Sequence, residues 1–523
     1  MSREADDQIA PVGDMRDLRV LITAEEAYPA YERAFLDAKR EIWACFRVFD
    51  PDTALRSEEG KAIGETWFDL LVHVLKRGVA IHFVLSDFDP ILARKLHRVS
   101  WESRRSFEQA ARAAGPMARL RIVNALHPAR VGLLPRLLLW PMLIKELRRA
   151  ARDLNGQPAE ERARQLSDSP GLRKWLKEET GGRLSARKWP PPPLVPGTHH
   201  QKIAVFDREL LCIGGLDLDE RRYDDKNHQR RRDETWHDVQ VMCRGPIVTE
   251  AQRHLESFRQ VVEGRAEAPP TGRLLRTMSR RRNFPLPFLG PRPLVGELAQ
   301  AHLEAFGVAR RLIYLETQFF RDRRIADALA AAAQAQPDLG LILVLPGAPE
   351  DVAFEAASGP DARFGEYLQA RCIRQVEEAF GSRAAICSPV RPAKSPAHGR
   401  DTLCGAPIIY VHAKVACIDD ERALVSSANL NGRSLWWDTE AGVALDDPRD
   451  VQHLRQRVMR HWLPKGAGDA FFDLEGAAEA WRKLAHDNAA QDPESRAGFL
   501  VPYDPRPAED FGYPLPGVPD AMV

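Results

Sequence analysis

The chain has 523 residues, 44% hydrophobic and 28% charged, which is enough apolar material for a large core in roughly two to four domain-sized units. Lys plus Arg total 75 against 74 Asp plus Glu, without the basic excess of a protein that grips long nucleic acid through its phosphates, so no nucleic-acid partner is expected. The seven cysteines are scattered and never form a C-x-x-C pair, which argues against a disulfide framework and against zinc held by cysteine.

The chain opens on MSREADDQIAPVGD, acidic and polar, without the charged-then-apolar pattern of a secretory leader. No later run reaches the length of a membrane span. The expected location is therefore cytoplasmic or peripheral to a membrane, with leaderless export also open. In chain order, REIWACFRVF (40–49) reads as a strand, GETWFDLLVHVLKRG (64–78) as an amphipathic helix and VAIHFVLSD (79–87) as a second strand. A helical stretch at 101–115 and the strand LRIVNAL (120–126) follow. Residues 127–197 form an insertion with a proline run, Pro190 to Pro193. Within it, RVGLLPRLLLWPMLIKELRR (130–149) carries Pro135 and Pro141, which predict an interrupted helix. That segment reads either as an element dipping Leu and Trp140 into lipid or as a hydrophobic cover packed on the first half.

The series then repeats. Residues 310–320 (RRLIYLETQFF), the alanine-rich helix 323–336, LGLILVLPG (339–347), the helix 364–380 and RAAICSPV (383–390) follow the same order. A shorter insertion, 391–405, comes next. Each series ends on a motif strand, a second short strand, a polar turn, a strand (238–243 or 440–445) and a helix (246–263 or 448–463). The expected fold is α/β, with two pseudo-symmetric halves, each a mixed β-sheet flanked by helices, and an active site at the seam. The boundaries read as 1–267 for the first half, 268–293 for a Pro/Arg-rich linker, 294–465 for the second half and 466–523 for a C-terminal extension. The tail after Ala490 reads as irregular strapping or partial disorder.

The chemistry lies in HQKIAVFDRELLCIGGLD and HAKVACIDDERALVSSAN. His200 and Lys202, like His412 and Lys414, are two apart, with Asp207 and Asp419 five further on. Gly214, Gly215 and Asp217 match Ser426, Ser427 and Asn429 position for position. Residues i and i+2 of a strand share a face, so each His and Lys should emerge together. A lone H-x-K is a common surface strand, but two copies with matched spacing in a repeat are specific. Such a set suits phosphodiester exchange: a neutral imidazole attacks phosphorus, a protonated one serves the leaving oxygen, and the ammonium groups hold the non-bridging oxygens. No cofactor or metal is called for.

These paired H-x-K-x4-D-x6-G-[GS]-x-[ND] blocks resemble the signature of the phospholipase D superfamily, and the likeness in architecture runs from about Arg40 to Leu463. GGLDLDERRYD (214–224), WHDVQV (236–241) and IYLETQFF (313–320) are similar to stretches of the eukaryotic-type phospholipases D. The resemblance implies His200 as nucleophile, His412 as general acid, and Lys202, Lys414, Asn429 and Asp217 at phosphate-binding positions. It implies that Asp238 and Glu440 hold the histidines through their other ring nitrogens. Asp207 and Asp419 belong to the catalytic motif and read as bracing the turn after the motif strand. Ser426 stands where glycine is usual, and a positive φ there would be strained. His199 reads as a neighbouring loop histidine and His237 as packing, while Glu316 and Gln318 either edge the site or are structural. The implied function is hydrolysis of glycerophospholipid head groups by a monomer working at a phospholipid membrane surface. A phospholipid synthase or nuclease with the same machinery, and a silent lipid-binding module, are the alternatives.

Overall fold

The computed structural model describes residues 15–395 and 398–523, so the opening residues 1–14 and their leaderless reading lie outside the described residues. Two mixed sheets carry the molecule. The first has the strand order Arg16–Ile22, Val239–Arg244, Leu210–Gly214, Ile203–Phe206, Glu41–Phe46, Ala80–Asp87, Arg119–Leu126. The second runs Leu274–Arg280, Glu440–Leu445, Arg422–Ser426, Val415–Ile418, Leu312–Glu316, Gly340–Val344, Ala384–Pro389 in the equivalent positions, with Arg292–Gly296 and Leu500–Pro502 added at its edges. In each sheet the βαβ strands pair in parallel and the strands around the motif pair antiparallel.

Strand alternation divides the cores. Ile203, Val205, Val415 and Cys417 enter a central core that draws on both sheets and on the helices Pro246–Val262 and Pro448–Trp462. Ala204 and Phe206, on the opposite face, pack under the first half's helices, and Ala416 and Ile418 under the second half's. The helices are partly exchanged: Pro246–Val262 packs against Leu274–Arg280 as well as its own sheet, and Pro448–Trp462 against Arg16–Ile22. Neither half could bury its inner face alone.

Three expectations change. The segment 268–293 is not simply a linker, because Leu274–Arg280 is the counterpart of Arg16–Ile22 and pairs with Glu440–Leu445. Its apolar alternation is masked by Arg276, which is only 2% exposed and is held bidentately by Glu297, at 2.7 Å from Nη2 and 2.9 Å from Nε. The tail past Ala490 is structured: Leu500–Pro502 pairs antiparallel with Ala384–Pro389, and Arg506–Phe511 forms a further helix. In the insertion, Leu133–Asn155 is one continuous helix despite its prolines. Pro135 sits in the first turn, where its missing N–H costs nothing. Pro141 deprives only the Leu137 carbonyl, on an exposed side of the helix where water can serve it. Leu143, Ile144, Leu147 and Leu154 form a separate small core with Leu172, Leu176 and Leu184, whereas Leu134 and Leu138 are 51% and 83% exposed.

Candidate active site at the seam

The motif histidines precede the regular strands, which begin at Ile203 and Val415. Their backbones pair across the seam instead. His200 N–H donates to the Thr439 carbonyl (2.8 Å), and His412 N–H donates to that of His237 (2.7 Å). Thr439 N–H and His237 N–H return the bonds to Thr198 and Tyr410, both at 2.8 Å. Each half thus fastens the other's motif at the equivalent position.

The carboxylates are exchanged in the same way. Glu440, from the second half, lies 2.9 Å and 3.1 Å from His200 Nδ1, and Asp238, from the first, lies 2.6 Å from His412 Nδ1. With Nδ1–H committed to a carboxylate, the free lone pair of each ring is on Nε2. The Lys202 ammonium lies 3.1 Å from His200 Nε2, where it can donate to that lone pair. Lys414 and Asn429 both donate to Gln318 Oε1, at 3.4 Å and 3.1 Å, and Gln318 donates to the Tyr410 hydroxyl at 2.8 Å. His200, His412, Lys202, Lys414, Asn429, Asp238 and Glu440 therefore converge on one site. Gln318 edges it as well.

Desolvation dominates the electrostatics. It pulls both imidazoles well below their usual range, with the neighbouring ammonium groups and Arg47 (on His200) or Arg222 (on His412) adding to the effect. It lowers Lys414 to about 7, lifts Asp238 to about 6 and lifts Glu440 to about 8. The site is a dry pocket of cations facing neutral rings, a place for an anion.

Two motif aspartates stand apart from the chemistry. Asp207 accepts the backbone N–H groups of Lys39, Arg40 and Glu41 (2.7, 2.7 and 2.9 Å), and Asp419 those of Arg310, Arg311 and Leu312 (3.0, 2.9 and 2.8 Å). Both have positive φ, 52° and 51°, which aspartate tolerates better than most residues. They lie at the far end of the motif strands and anchor the starts of Glu41–Phe46 and Leu312–Glu316, so their place in the catalytic set is corrected to a structural one.

Asp217 is also corrected. Its side chain is fully buried, its Oδ1 accepts Val48 N–H at 2.9 Å, and its Oδ2 lies 3.8 Å from Lys202 Nζ. A carboxylate there balances Lys202 from behind rather than meeting a phosphate. Ser426 carries no positive φ, so the feared strain does not arise. The demand at this position is for space. A Cβ on Gly214 would meet Gln240 Oε1 at 2.4 Å, whereas Ser426 faces Gly442, whose own Cβ would meet that of Ser426 at 2.5 Å. Glycine has moved across the strand pair.

His199 is buried, with Nδ1 2.9 Å from the Thr439 hydroxyl, and His237 packs with its Nε2 2.9 Å from Glu316 Oε2. Glu316 thus lies behind the site. Sequence reading missed Arg47, Arg222, Trp236 and Ser427. Arg47 follows Glu41–Phe46 where Gln318 follows Leu312–Glu316, at the carboxyl ends of parallel strands where α/β sheets bind ligands. Aligning REIWACFRVF (40–49) with RRLIYLETQFF (310–320) puts Arg47 opposite Gln318, and that would have revealed it. Arg222, 8% exposed, lies over the Trp236 ring (4.7 Å), which in turn packs on His412 at 4.6 Å between centroids. The Ser427 hydroxyl donates to Glu440.

A family model described as cardiolipin synthase, PLD-like domain, matches residues 303–462. Phospholipase D alpha 1 of Nicotiana tabacum is 22% identical over 356 residues, covering 46% of this chain and 44% of that protein. Phospholipase D1 of Saccharomyces cerevisiae is 23% identical over 373 residues, covering 51% of this chain and 22% of that one. The chain thus spans less than half the length of these curated relatives. Among solved structures, phosphatidylserine synthase of Haemophilus influenzae aligns with a TM-score of 0.47 and 13% identity, covering 94% of this chain and 91% of that one. The family match over residues 303–462, the two phospholipase D relatives and the duplicated motif define the class that this chain resembles, the phospholipase D superfamily.

Proposed function

We propose that the protein cleaves the head-group phosphodiester of glycerophospholipids through a phosphohistidine on His200, releasing phosphatidic acid. The observation that carries the reading is the exchanged pair of imidazole–carboxylate units, His200–Glu440 and His412–Asp238, among Lys202, Lys414 and Asn429. His200 Nε2 attacks phosphorus, the phosphorus–oxygen bond to the head group breaks, and the leaving alkoxide takes a proton from His412. His412 then takes a proton from water, which attacks phosphorus and breaks the phosphorus–nitrogen bond. The ammonium groups and Asn429 hold the charge gathering on the non-bridging oxygens. The Lys202 ammonium favours His200 as nucleophile, because protonating Nε2 would set two cations 3.1 Å apart.

An alcohol in place of water gives transfer, and the family model's description as a cardiolipin synthase domain favours a phospholipid synthase as the second reading. A panel of glycerophospholipids, each with and without a primary alcohol or glycerol acceptor, separates the two. Phosphatidic acid as the main product supports hydrolysis. Exclusive transfer product supports the synthase, and turnover of single-stranded DNA alone would remove both.

The rate is expected to be bell-shaped in pH. Below one limb the attacking ring is protonated, and above the other the leaving oxygen finds no proton. With Asp238 lifted to about 6 and Glu440 to about 8, turnover should peak between those values. The limbs belong to the coupled pairs, so the bell would be the same whichever ring attacks. A rate rising monotonically from pH 5 to 9 on a soluble diester would contradict it.

Arg47→Ala should lower kcat/KM on the order of 10²-fold with little change in melting temperature, as removal of one charge-stabilising donor does. Arg47→Lys should recover part of the loss. Unchanged kinetics in the alanine variant would take Arg47 out of the site.

A further inference from the structure

Behind the seam, His228, His237 and His461 each bring one ring nitrogen within 4.8 Å of the other two. They come from three separate places: His228 from the loop after the first motif, His237 from the seam itself and His461 from the last turn of Pro448–Trp462. Two of them are already oriented by carboxylates, His228 Nδ1 by Asp224 Oδ2 at 2.6 Å and His237 Nε2 by Glu316 Oε2 at 2.9 Å. This is the arrangement that metal-binding imidazoles adopt, one nitrogen on a carboxylate and the other free for the ion. The free nitrogen of His237, Nδ1, is fully buried and has no hydrogen-bond partner among the described residues. His228 Nε2 lies 2.9 Å from His461 Nε2, and the rings of His237 and His461 stack at 4.6 Å.

We infer that these three histidines bind a divalent transition-metal ion, zinc foremost, at a site separate from the phosphodiester chemistry. Three imidazoles are a borderline-soft nitrogen set that suits zinc, and they leave a fourth position for water. His461 is only half-buried and offers the way in. The ion's role is to brace the seam. It would tie the second half's terminal helix to the first half's loop and to His237, whose carbonyl receives His412 N–H and whose neighbour Asp238 holds the His412 ring. The arrangement that needs no ion is a hydrogen-bonded chain in which His461 donates to His228 and His228 donates to Asp224.

The test is on the 523-residue chain, stripped with a chelator and then titrated with Zn²⁺ against a chromophoric competitor. The wild type should take up one equivalent tightly, and its melting temperature should rise with zinc. His461→Gln should lose on the order of 100-fold or more in affinity and the zinc-dependent rise. Asp224→Asn should weaken binding about 10–100-fold, as loss of an orienting carboxylate does. His453→Gln, exposed on the same helix, should bind like the wild type. Co²⁺ loaded into the unmutated protein should show the intense visible bands of a tetrahedral nitrogen site, a readout that does not depend on any variant folding. A stripped wild type that takes up no zinc, an equivalent that survives His461→Gln, or a pale octahedral Co²⁺ spectrum would each overturn the site and leave the hydrogen-bonded chain.

Discussion

His200→Ala should abolish covalent labelling by a radioactive phosphodiester, and with it all turnover of phospholipid, if the phosphorus–nitrogen bond forms at His200 Nε2 as proposed. His412→Asn should behave differently. With a nitrophenyl leaving group, which needs no proton, the phosphoenzyme should still form and then persist, since the base that activates water is gone. With a phospholipid, whose leaving alkoxide needs the proton, turnover should fall by roughly 10²–10⁴-fold, the usual contribution of a general acid. The two variants should keep wild-type melting temperatures within a few degrees. Peptide mapping that puts the label of the wild-type protein on His412 would reverse the two roles, and labelling of neither would remove the covalent route.

Replacing Leu134, Leu137 and Leu138 together with serine should weaken binding to phospholipid vesicles by roughly two to three powers of ten. The three are 51%, 39% and 83% exposed, and Trp189 and Phe284, both on neighbouring segments, are 68% and 67% exposed. Such a patch at the start of Leu133–Asn155 is larger than scattered surface leucines require. Fully transferring a side chain of this size from water contributes roughly 1.5–3 kcal/mol, and about half of that remains to be gained by residues already half-covered. The insertion also leaves the fold beside the site: His127 lies 5.3 Å from His199 between ring centroids, and Thr198 N–H donates to Asp438. A lipid-facing patch there would deliver substrate to the histidines. Turnover of a soluble diester and the melting temperature should both be unchanged in this variant. Leu139 and Trp140 suit the test less well, because they pack on the insertion's own core and Trp140 donates to the Lys188 carbonyl at 2.9 Å. Wild-type vesicle affinity in the triple variant would rule out the patch as a membrane contact.

Much of this was legible in the residues. The duplication could be read because strands and helices announce themselves by local period, and His200, Lys202, His412 and Lys414 because chemistry at fixed spacing survives when surrounding sequence drifts. The same local logic failed where a single position broke the pattern. Leu274–Arg280 was hidden by one buried arginine whose partner, Glu297, lies outside the strand. The prolines of Leu133–Asn155 signalled a break that their placement, in the first turn and on an exposed side, made harmless. Asp207 and Asp419 travelled with the catalytic motif although they anchor backbone at its other end.

The sequence alone determined the two His–Lys pairs, His200 with Lys202 and His412 with Lys414, since those depend on residue type and on spacing along one strand. Only the tertiary structure decided how their carboxylates are shared. Glu440 serves His200 and Asp238 serves His412, across a separation of 240 and 174 residues, because the backbone at each motif histidine is hydrogen-bonded to the opposite half, just before its strand joins its own sheet. The gathering of His228, His237 and His461 has the same origin. Their spacing carries no metal-binding signature, and they meet only because the helix ending at Trp462 is buried against the first half's seam by the apolar faces that neither half can cover alone.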